Sequence, residues 1–321
     1  MNTNYSPQGK ILWDSWFIKA KNEYHVFYLQ AMITENSEER HDNAVSIGHA
    51  ISKDLVHWKE LPTALEKGED DAWDNLALWT GSVIEKDNRY FMYYTGRNKN
   101  IDQKWIQKIG LATSDDLVTW KKSPQNPILE ASGFYSIDNR KNKLNKIGAW
   151  RDPFVFYDTE SKRYYMTISA RDQNYGREYN GCVALAESTD LLDWKILPPI
   201  FSPGIYDEIE TTQIIYHINL YYLFFSTHAS NYQPAFAKEN GSFGGLHCYY
   251  SEDLFGKYSP VNENGVVLEN GNEMYDIRLL YDKADDFFAI GWLNGVNSKK
   301  IIGKLSFPFK IRIEKDKVYK L

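Results

Sequence analysis

Three acidic residues occupy comparable places in this sequence. Asp14 lies 10 positions before Tyr24, Asp152 lies 12 before Tyr164, and Glu210 lies 11 before Tyr221. Each stands ahead of a run that reads as an aromatic β-strand. Carboxylates brought together repel, and the repulsion drives their pKa values apart. A site with one protonated and one ionised acid suits glycoside hydrolysis, in which one group donates a proton and another attacks or activates water. The same oxygen-rich grouping could hold calcium, a minority alternative.

The sharpest of these stretches is Trp150-Arg151-Asp152-Pro153-Phe154-Val155-Phe156-Tyr157. Val, Phe and Tyr favour a pleated strand, and Pro153 fits only near its beginning or at an edge. A charged pair there is costly to bury without a partner or a purpose. Alone, Arg151 and Asp152 read equally well as a structural ion pair; the recurrence of the arrangement tips the reading toward chemistry. The second and fifth copies hold Trp79-Thr80-Gly81-Ser82 and Tyr275-Asp276-Ile277-Arg278 at the corresponding place. Glu208 competes with Glu210, because residues two apart share a face of a strand; the spacing favours Glu210. Asp276 has Arg278 beside it and reads as a substrate-binding or structural residue.

The elements that must position these acids recur. Ser52-Lys53-Asp54-Leu55-Val56-His57-Trp58 returns at Ser114–Trp120 and Ser188–Trp194, and in degraded form at Ser251–Tyr258. Ser and Asp side chains can bond turn amides, so these corners are structural and their acids are not counted as catalytic. Aromatic strands begin at Tyr24, Tyr90, Tyr164, Tyr221 and Phe287, at steps of 66, 74, 57 and 66. Short strands joined by polar turns, with few helical patterns, indicate an all-β fold. Four-stranded units repeated about an axis are propeller blades. The expectation is a five-bladed β-propeller occupying residues 1–321 as one domain, with inner strands near 12–18, 78–84, 151–157, 210–216 and 276–281.

Composition narrows the function. Apolar residues make up 43% and charged residues 25%, which is ordinary for a soluble globular chain. Aromatics reach 15%, supplying strand formers and flat platforms for sugar rings. A net charge of −6 offers no basic surplus for nucleic acid. Cys182 and Cys248 are too few for a disulfide framework and read as buried thiols. The first residues show neither a basic nor an apolar leader segment, and no run is long enough to span a membrane, so a soluble, cytoplasmic protein is expected. His25, His49 and His57 read as core or edge residues. No zinc spacing, phosphate-binding loop or nucleophile elbow occurs, so neither metal nor cofactor leads the reading.

The sequence resembles the five-bladed glycosidases of the invertase, levanase and inulinase type, glycoside hydrolase family 32. Ile47–Leu65 is similar to that family's Trp-Gly-His-Ala segment and its continuation, Thr80-Gly81-Ser82 to its Ser-Gly-Ser strand, and Trp150–Pro153 carries its Arg-Asp-Pro motif. Leu305-Ser306-Phe307-Pro308 resembles the motif at the propeller's end. The resemblance implies Asp14 as nucleophile, Glu210 as acid/base and Asp152, assisted by Arg151, as transition-state stabiliser. It departs from the family at Trp13-Asp14-Ser15-Trp16-Phe17 and Glu210-Thr211-Thr212, and the expectation is a propeller without the family's following β-sandwich. Trp13, Trp16 and Trp79 are expected as stacking walls; Gln30, Ser82, Arg151 and Asp276 complete the candidate sugar-binding set. The implied activity is cleavage of a terminal furanoside, with a β-fructoside such as sucrose first in line, by double displacement. A fructosyltransferase, an arabinofuranosidase-type enzyme and a non-catalytic sugar-binding propeller are the alternatives.

Overall fold

The computed structural model describes residues 4–33, 39–100, 102–137, 141–269, 273–281, 287–294 and 301–321. They form five antiparallel sheets arranged as a five-bladed β-propeller. The first blade comprises β1 (Lys10–Ala20), β2 (Glu23–Met32), β3 (Ser46–Ser52) and β4 (Lys59–Glu66). The second comprises β5 (Ala77–Lys86), β6 (Arg89–Arg97), β7 (Gln107–Ser114) and β8 (Lys121–Lys122). The third comprises β9 (Trp150–Asp158), β10 (Arg163–Arg171), β11 (Gly181–Ser188) and β12 (Lys195–Phe201). The fourth runs β13 (Glu210–His217), β14 (Leu220–Thr227), β15 (Gly245–Ser251) and β16 (Ser259–Pro260), with β17 (Val266–Glu269) also on β15. The fifth holds β18 (Met274–Tyr281), β19 (Phe287–Leu293), β20 (Lys304–Leu305), β21 (Phe309–Glu314) and β22 (Lys317–Lys320). Among the described residues two short α-helices interrupt the sheets, α1 (Arg40–Asn43) and α2 (Pro234–Asn240).

The aromatic runs are the second strands of their blades, apolar on both faces because each lies between neighbouring blades. In β2 every residue from Tyr24 to Ala31 is buried, whereas the outer strand β4 is largely exposed. Three first-to-second hairpins close through two residues of positive φ: Lys21-Asn22, Asp87-Asn88 and Ile218-Asn219. Such loops carry the twist that matches the flanking strands.

The Ser-x-Asp-Leu corners are turns, as expected. The Oδ1 atoms of Asp54, Asp116 and Asp190 each accept two backbone N–H bonds at 2.7–2.9 Å. Leu55, Leu117 and Leu191 follow in the left-handed region and are buried. Trp58 and Trp120 donate to the carbonyls of Leu55 and Leu117. These acids face turn amides rather than the channel. Cys182 and Cys248 are free, buried thiols.

The first strands, β1, β5, β9, β13 and β18, pack side by side around the axis and cover the five stretches expected as inner strands. The ring closes between the first and fifth blades. Leu12 N–H donates to Gly303 O at 3.0 Å, and Leu305 N–H to Tyr5 O at 2.9 Å.

Candidate active site

Each inner strand breaks register near its start. The shifts fall between Trp13 and Ser15, Trp79 and Gly81, Arg151 and Phe154, Glu210 and Gln213, and Tyr275 and Arg278. A β-bulge re-aims side chains that would otherwise follow the strand's strict alternation. The bulge residues are Asp14, Thr80, Asp152, Thr211 and Asp276. Four of them have positive φ: 20° at Asp14, 58° at Asp152, 52° at Thr211 and 46° at Asp276. At the second bulge a side chain on Gly81 would collide with the Tyr93 carbonyl, which explains the glycine after Thr80.

The bulges sort the site into two tiers. The residues just before them, Trp13, Trp79, Arg151, Glu210 and Tyr275, all line one cavity of about 930 Å³. Asp14, Thr80 and Asp152 line it from the deeper tier. Hydrogen bonds join that deeper tier into a circuit through all five blades. Thr80 Oγ1 donates to Asp14 Oδ2 at 2.7 Å, Ser15 N–H to Asp276 Oδ2 at 2.6 Å, and Arg278 Nη1 to Thr211 O at 3.1 Å. Thr211 N–H donates to Asp152 Oδ2, and Asp152 N–H to Thr95 Oγ1, both at 3.1 Å.

Asp14 is held between two donors, the Thr80 hydroxyl and Trp292 Nε1, which reaches Oδ1 at 3.0 Å. Burial, then the charges of Asp276 and Asp152, push its pKa up to about 8. Burial also raises Asp152, although Arg151 works against it. Burial raises Glu210 too, but Arg151, His228 and Tyr275 more than offset this and bring it down to about 2. Arg151 Nη2 lies 2.9 Å from Glu210 Oε1, and the Tyr275 hydroxyl donates to Oε2 at 2.6 Å. His228 stacks on the Tyr275 ring with centroids 4.4 Å apart. Glu208 also lines the cavity, but three cations engage it. Arg151 and Lys146 lie at 2.9 and 2.8 Å, and Arg171 at 3.7 Å.

One wall is built around Arg97. Its guanidinium lies 4.4 Å from the Trp79 ring centroid and 5.5 Å from that of Trp105. It donates to Lys104 O, His41 O and Asp42 Oδ1, tying α1 to the segment carrying Trp105. Trp79 Nε1 bonds the same His41 carbonyl at 2.8 Å.

A sequence profile described as "Glycosyl hydrolases family 32 N-terminal domain" matches residues 14–320. The chain belongs to glycosyl hydrolase family 32. A levanase from Bacillus sp. (strain L7) is 30% identical over 210 residues, 60% of this chain and 19% of that protein. A bifunctional fructosyltransferase from Allium cepa is 27% identical over 60% of this chain and 28% of its own length. An extracellular sucrase from Zymomonas mobilis is 25% identical, covering 80% of this chain and 70% of the sucrase. The family 32 chain thus spans less than a third of the first two relatives. Among solved structures, an inulosucrase from Halalkalicoccus jeotgali bound to kestose superposes with a TM-score of 0.80 at 22% identity, over 99% of this chain and 90% of that one. Bacillus subtilis levansucrase gives 0.77 at 17%, over 99% and 88%. These two likenesses establish the fold.

The family 32 propeller brings Asp14, Asp152, Glu210, Trp13, Trp79 and Arg151 to the cavity, and it corrects the rest of the sequence reading. Trp16 is not a wall: beyond the Asp14 bulge it pairs opposite Phe27 and stacks on that ring inside the core. Gln30 is buried and donates to Ser46 Oγ at 3.0 Å. Ser82 Oγ accepts the Val155 N–H, stitching the second blade to the third. Asp276 is fully buried behind the cavity wall, engaged by Ser15 and Arg278. Glu210 does not occupy the repeat position of Asp14 and Asp152; Thr211 does, and Glu210 shares its register with Arg151. The two shifts run opposite to the expectation, because Glu210 has an arginine and a phenol to favour its charge while Asp14 has burial and carboxylate neighbours to oppose it.

Thr80, Trp292, Tyr275, His228, Lys146 and His41 were not foreseen as site residues. Thr80 had a usable signal, since it shares the repeat position of Asp14. His41 and Lys146 sit between strands, where no periodicity marks them. Among the described residues, no group of three or more His, Cys, Asp or Glu side chains is arranged to hold a metal ion. No helix among them is long and apolar enough to cross a membrane.

Proposed function

We propose that this chain is a glycoside hydrolase that cleaves a terminal furanoside, with a β-fructoside such as sucrose as the first substrate. The observation that carries the reading is the convergence of Asp14, Asp152 and Glu210 on one aromatic-walled cavity. A sugar-binding module needs walls and hydroxyl partners; it has no need of three acids converging on one cavity with the pKa values of Asp14 and Glu210 driven in opposite directions. The levanase and sucrase among the relatives support a fructoside.

In this mechanism Asp14 attacks the anomeric carbon as Glu210 protonates the departing oxygen. Glu210 then takes a proton from water, which releases the sugar from Asp14. Asp152 binds ring hydroxyls more tightly as the ring flattens toward an oxocarbenium-like state. The cluster must carry one proton, and that proton must stand on Glu210 when the bond breaks. Sugar hydroxyls that draw the Arg151 guanidinium away from Glu210 would move it there.

A transferase is the second reading, favoured by the fructosyltransferase and levansucrases among the relatives. It differs only in the acceptor that meets the sugar–enzyme intermediate. Product analysis decides. Incubation with sucrose is expected to release fructose. Longer fructo-oligosaccharides would establish transfer, and cleavage of aryl arabinofuranosides alone would move the substrate from a hexulofuranoside to a pentofuranoside. No cleavage of any furanoside would overturn the enzyme reading in favour of a sugar-binding propeller. Cell fractionation tests the cytoplasmic expectation; the extracellular sucrase among the relatives points the other way.

A further inference from the structure

We propose that Asp276 is a positioning residue for the nucleophile, acting on Asp14 through the Ser15 amide. The inference rests on the reading of Asp14 as the attacking group and adds a residue that does not touch the sugar. The bulge at Asp14 takes the Ser15 N–H out of the regular ladder, and a buried N–H requires a partner. Asp276, 261 positions away, supplies it with a carboxylate oxygen at 2.6 Å, within the range of a charge-assisted bond. The bond crosses from the fifth blade to the first and closes the circuit around the axis. It holds the backbone next to a residue at φ 20°, a conformation that an aspartate adopts only when its surroundings impose it.

The third blade solves the same problem differently. Pro153 follows Asp152 and has no N–H to satisfy, so no anchoring acid is needed. The first blade has Ser15 in that place, and therefore needs an acceptor. The groups facing Asp276 are Ser15 from β1, Arg278 from its own strand with Nε at 2.7 Å, Thr211 from β13, and the charges of Asp14 and Asp152. Asp276 thus does two things: it fixes where Asp14 sits, and its charge opposes the ionisation of Asp14.

The test compares Asp276→Asn with Asp276→Ala in the full chain. Asp14 is followed directly by carboxyl-carbon NMR of labelled aspartate, with its resonance assigned from Asp14→Asn. In Asp276→Asn a like charge is lost and Arg278 loses its counter-ion, so the Asp14 titration midpoint should fall by about 1–3 pH units. An unchanged midpoint overturns the claim that the Asp276 charge opposes the ionisation of Asp14. Kinetics form the second arm. Asp276→Ala removes the anchor, and kcat should fall about 100-fold with KM within about threefold, the cost of an ångström-scale misplacement. Asp276→Asn keeps an acceptor for Ser15 and should recover most of that loss. Equal losses in the two variants would refute positioning. Should Asp276→Ala fail to fold by circular dichroism, Asp276→Ser, whose shorter side chain leaves the Ser15 N–H without its acceptor, takes its place in the kinetic comparison with Asp276→Asn. Should the unmodified protein cleave no furanoside, the proposed function fails, while the titration still tests the Asp276–Asp14 link.

Discussion

Thr80→Val isolates one hydrogen bond to the proposed nucleophile. The Thr80 hydroxyl meets Asp14 Oδ2 at 2.7 Å, and Thr80 is only 1% exposed, so no bulk water can replace it. Valine has nearly the same shape but cannot donate. A hydrogen bond to a charged group contributes about 1.5–3 kcal/mol, equivalent to roughly 1–2 pKa units. The bond favours ionised Asp14, so its loss must raise the Asp14 pKa further above its value of about 8. Only ionised Asp14 attacks, and the active form carries the single proton on Glu210. The plateau of kcat/KM should therefore fall roughly 10- to 100-fold. At the same time the alkaline limb, where the cluster loses its last proton, should move upward by about 1–2 units. The assay is kcat/KM from pH ~4 to ~10 with the best furanoside substrate, with Thr80→Ser as the control that retains the hydroxyl. A lower plateau and a higher limb together are the signature. A limb that rises without loss of rate would mean that Asp14 titrates but does not attack, and an unchanged profile would remove Asp14 from the mechanism.

Two further outcomes follow from the same site. Glu210→Ala should spare the glycosylation step for substrates with acidic leaving groups and slow it increasingly as the leaving group becomes more basic. Aryl-glycoside kinetics across a graded series check this, and a uniform loss would show that Glu210 is not the acid. Asp14→Asn should stabilise the fold as it abolishes turnover. The Asp14 pKa is raised on folding, so its contribution is fully present below the unfolded-state value near 3.8 and is lost as pH rises toward about 8. The melting-temperature advantage of Asp14→Asn should accordingly grow from acid to about pH 8, reaching several degrees, and then level off. Thermal scans across that range check it, and an advantage greatest at acid pH would contradict the assigned shift.

Most of the architecture was legible because a propeller writes its fold five times. The aromatic strands and Asp-Leu corners recur with the blades, and the innermost strands lie just upstream of the aromatic ones. The site was less legible, because each bulge adds a residue on one strand that counting cannot detect. Asp14 and Asp152 were found at 10 and 12 residues before their markers, and Glu210 at 11 looked equivalent. In three dimensions it stands one step earlier than they do, on the tier of Arg151 and Tyr275. The same offset misplaced Trp16, which alternation from Asp14 would send toward the axis and the bulge sends into the core.

The two tiers explain why the shifts on Asp14 and Glu210 run in opposite directions. The deeper tier has Asp14, Asp152 and Asp276 within electrostatic reach of one another, with Arg278 as the cation closest to Asp276. The upper tier gives Glu210 an arginine and a phenol. Charge is therefore favoured on Glu210 and opposed on Asp14. Arg151 links the two acids, because the same Nη2 atom lies 2.9 Å from both Glu208 and Glu210, while its Nη1 donates to Gln107 Oε1 and Gly148 O. Glu208 also has Lys146 at 2.8 Å. A ligand that takes one Arg151 hydrogen bond weakens the hold on Glu210 first, since there the alternative donor is a neutral phenol rather than a second cation. Within the proposed function, Glu208 would anchor Arg151 and Glu210 would serve as the acid, a division that follows from the surrounding cations, since both residues line the cavity.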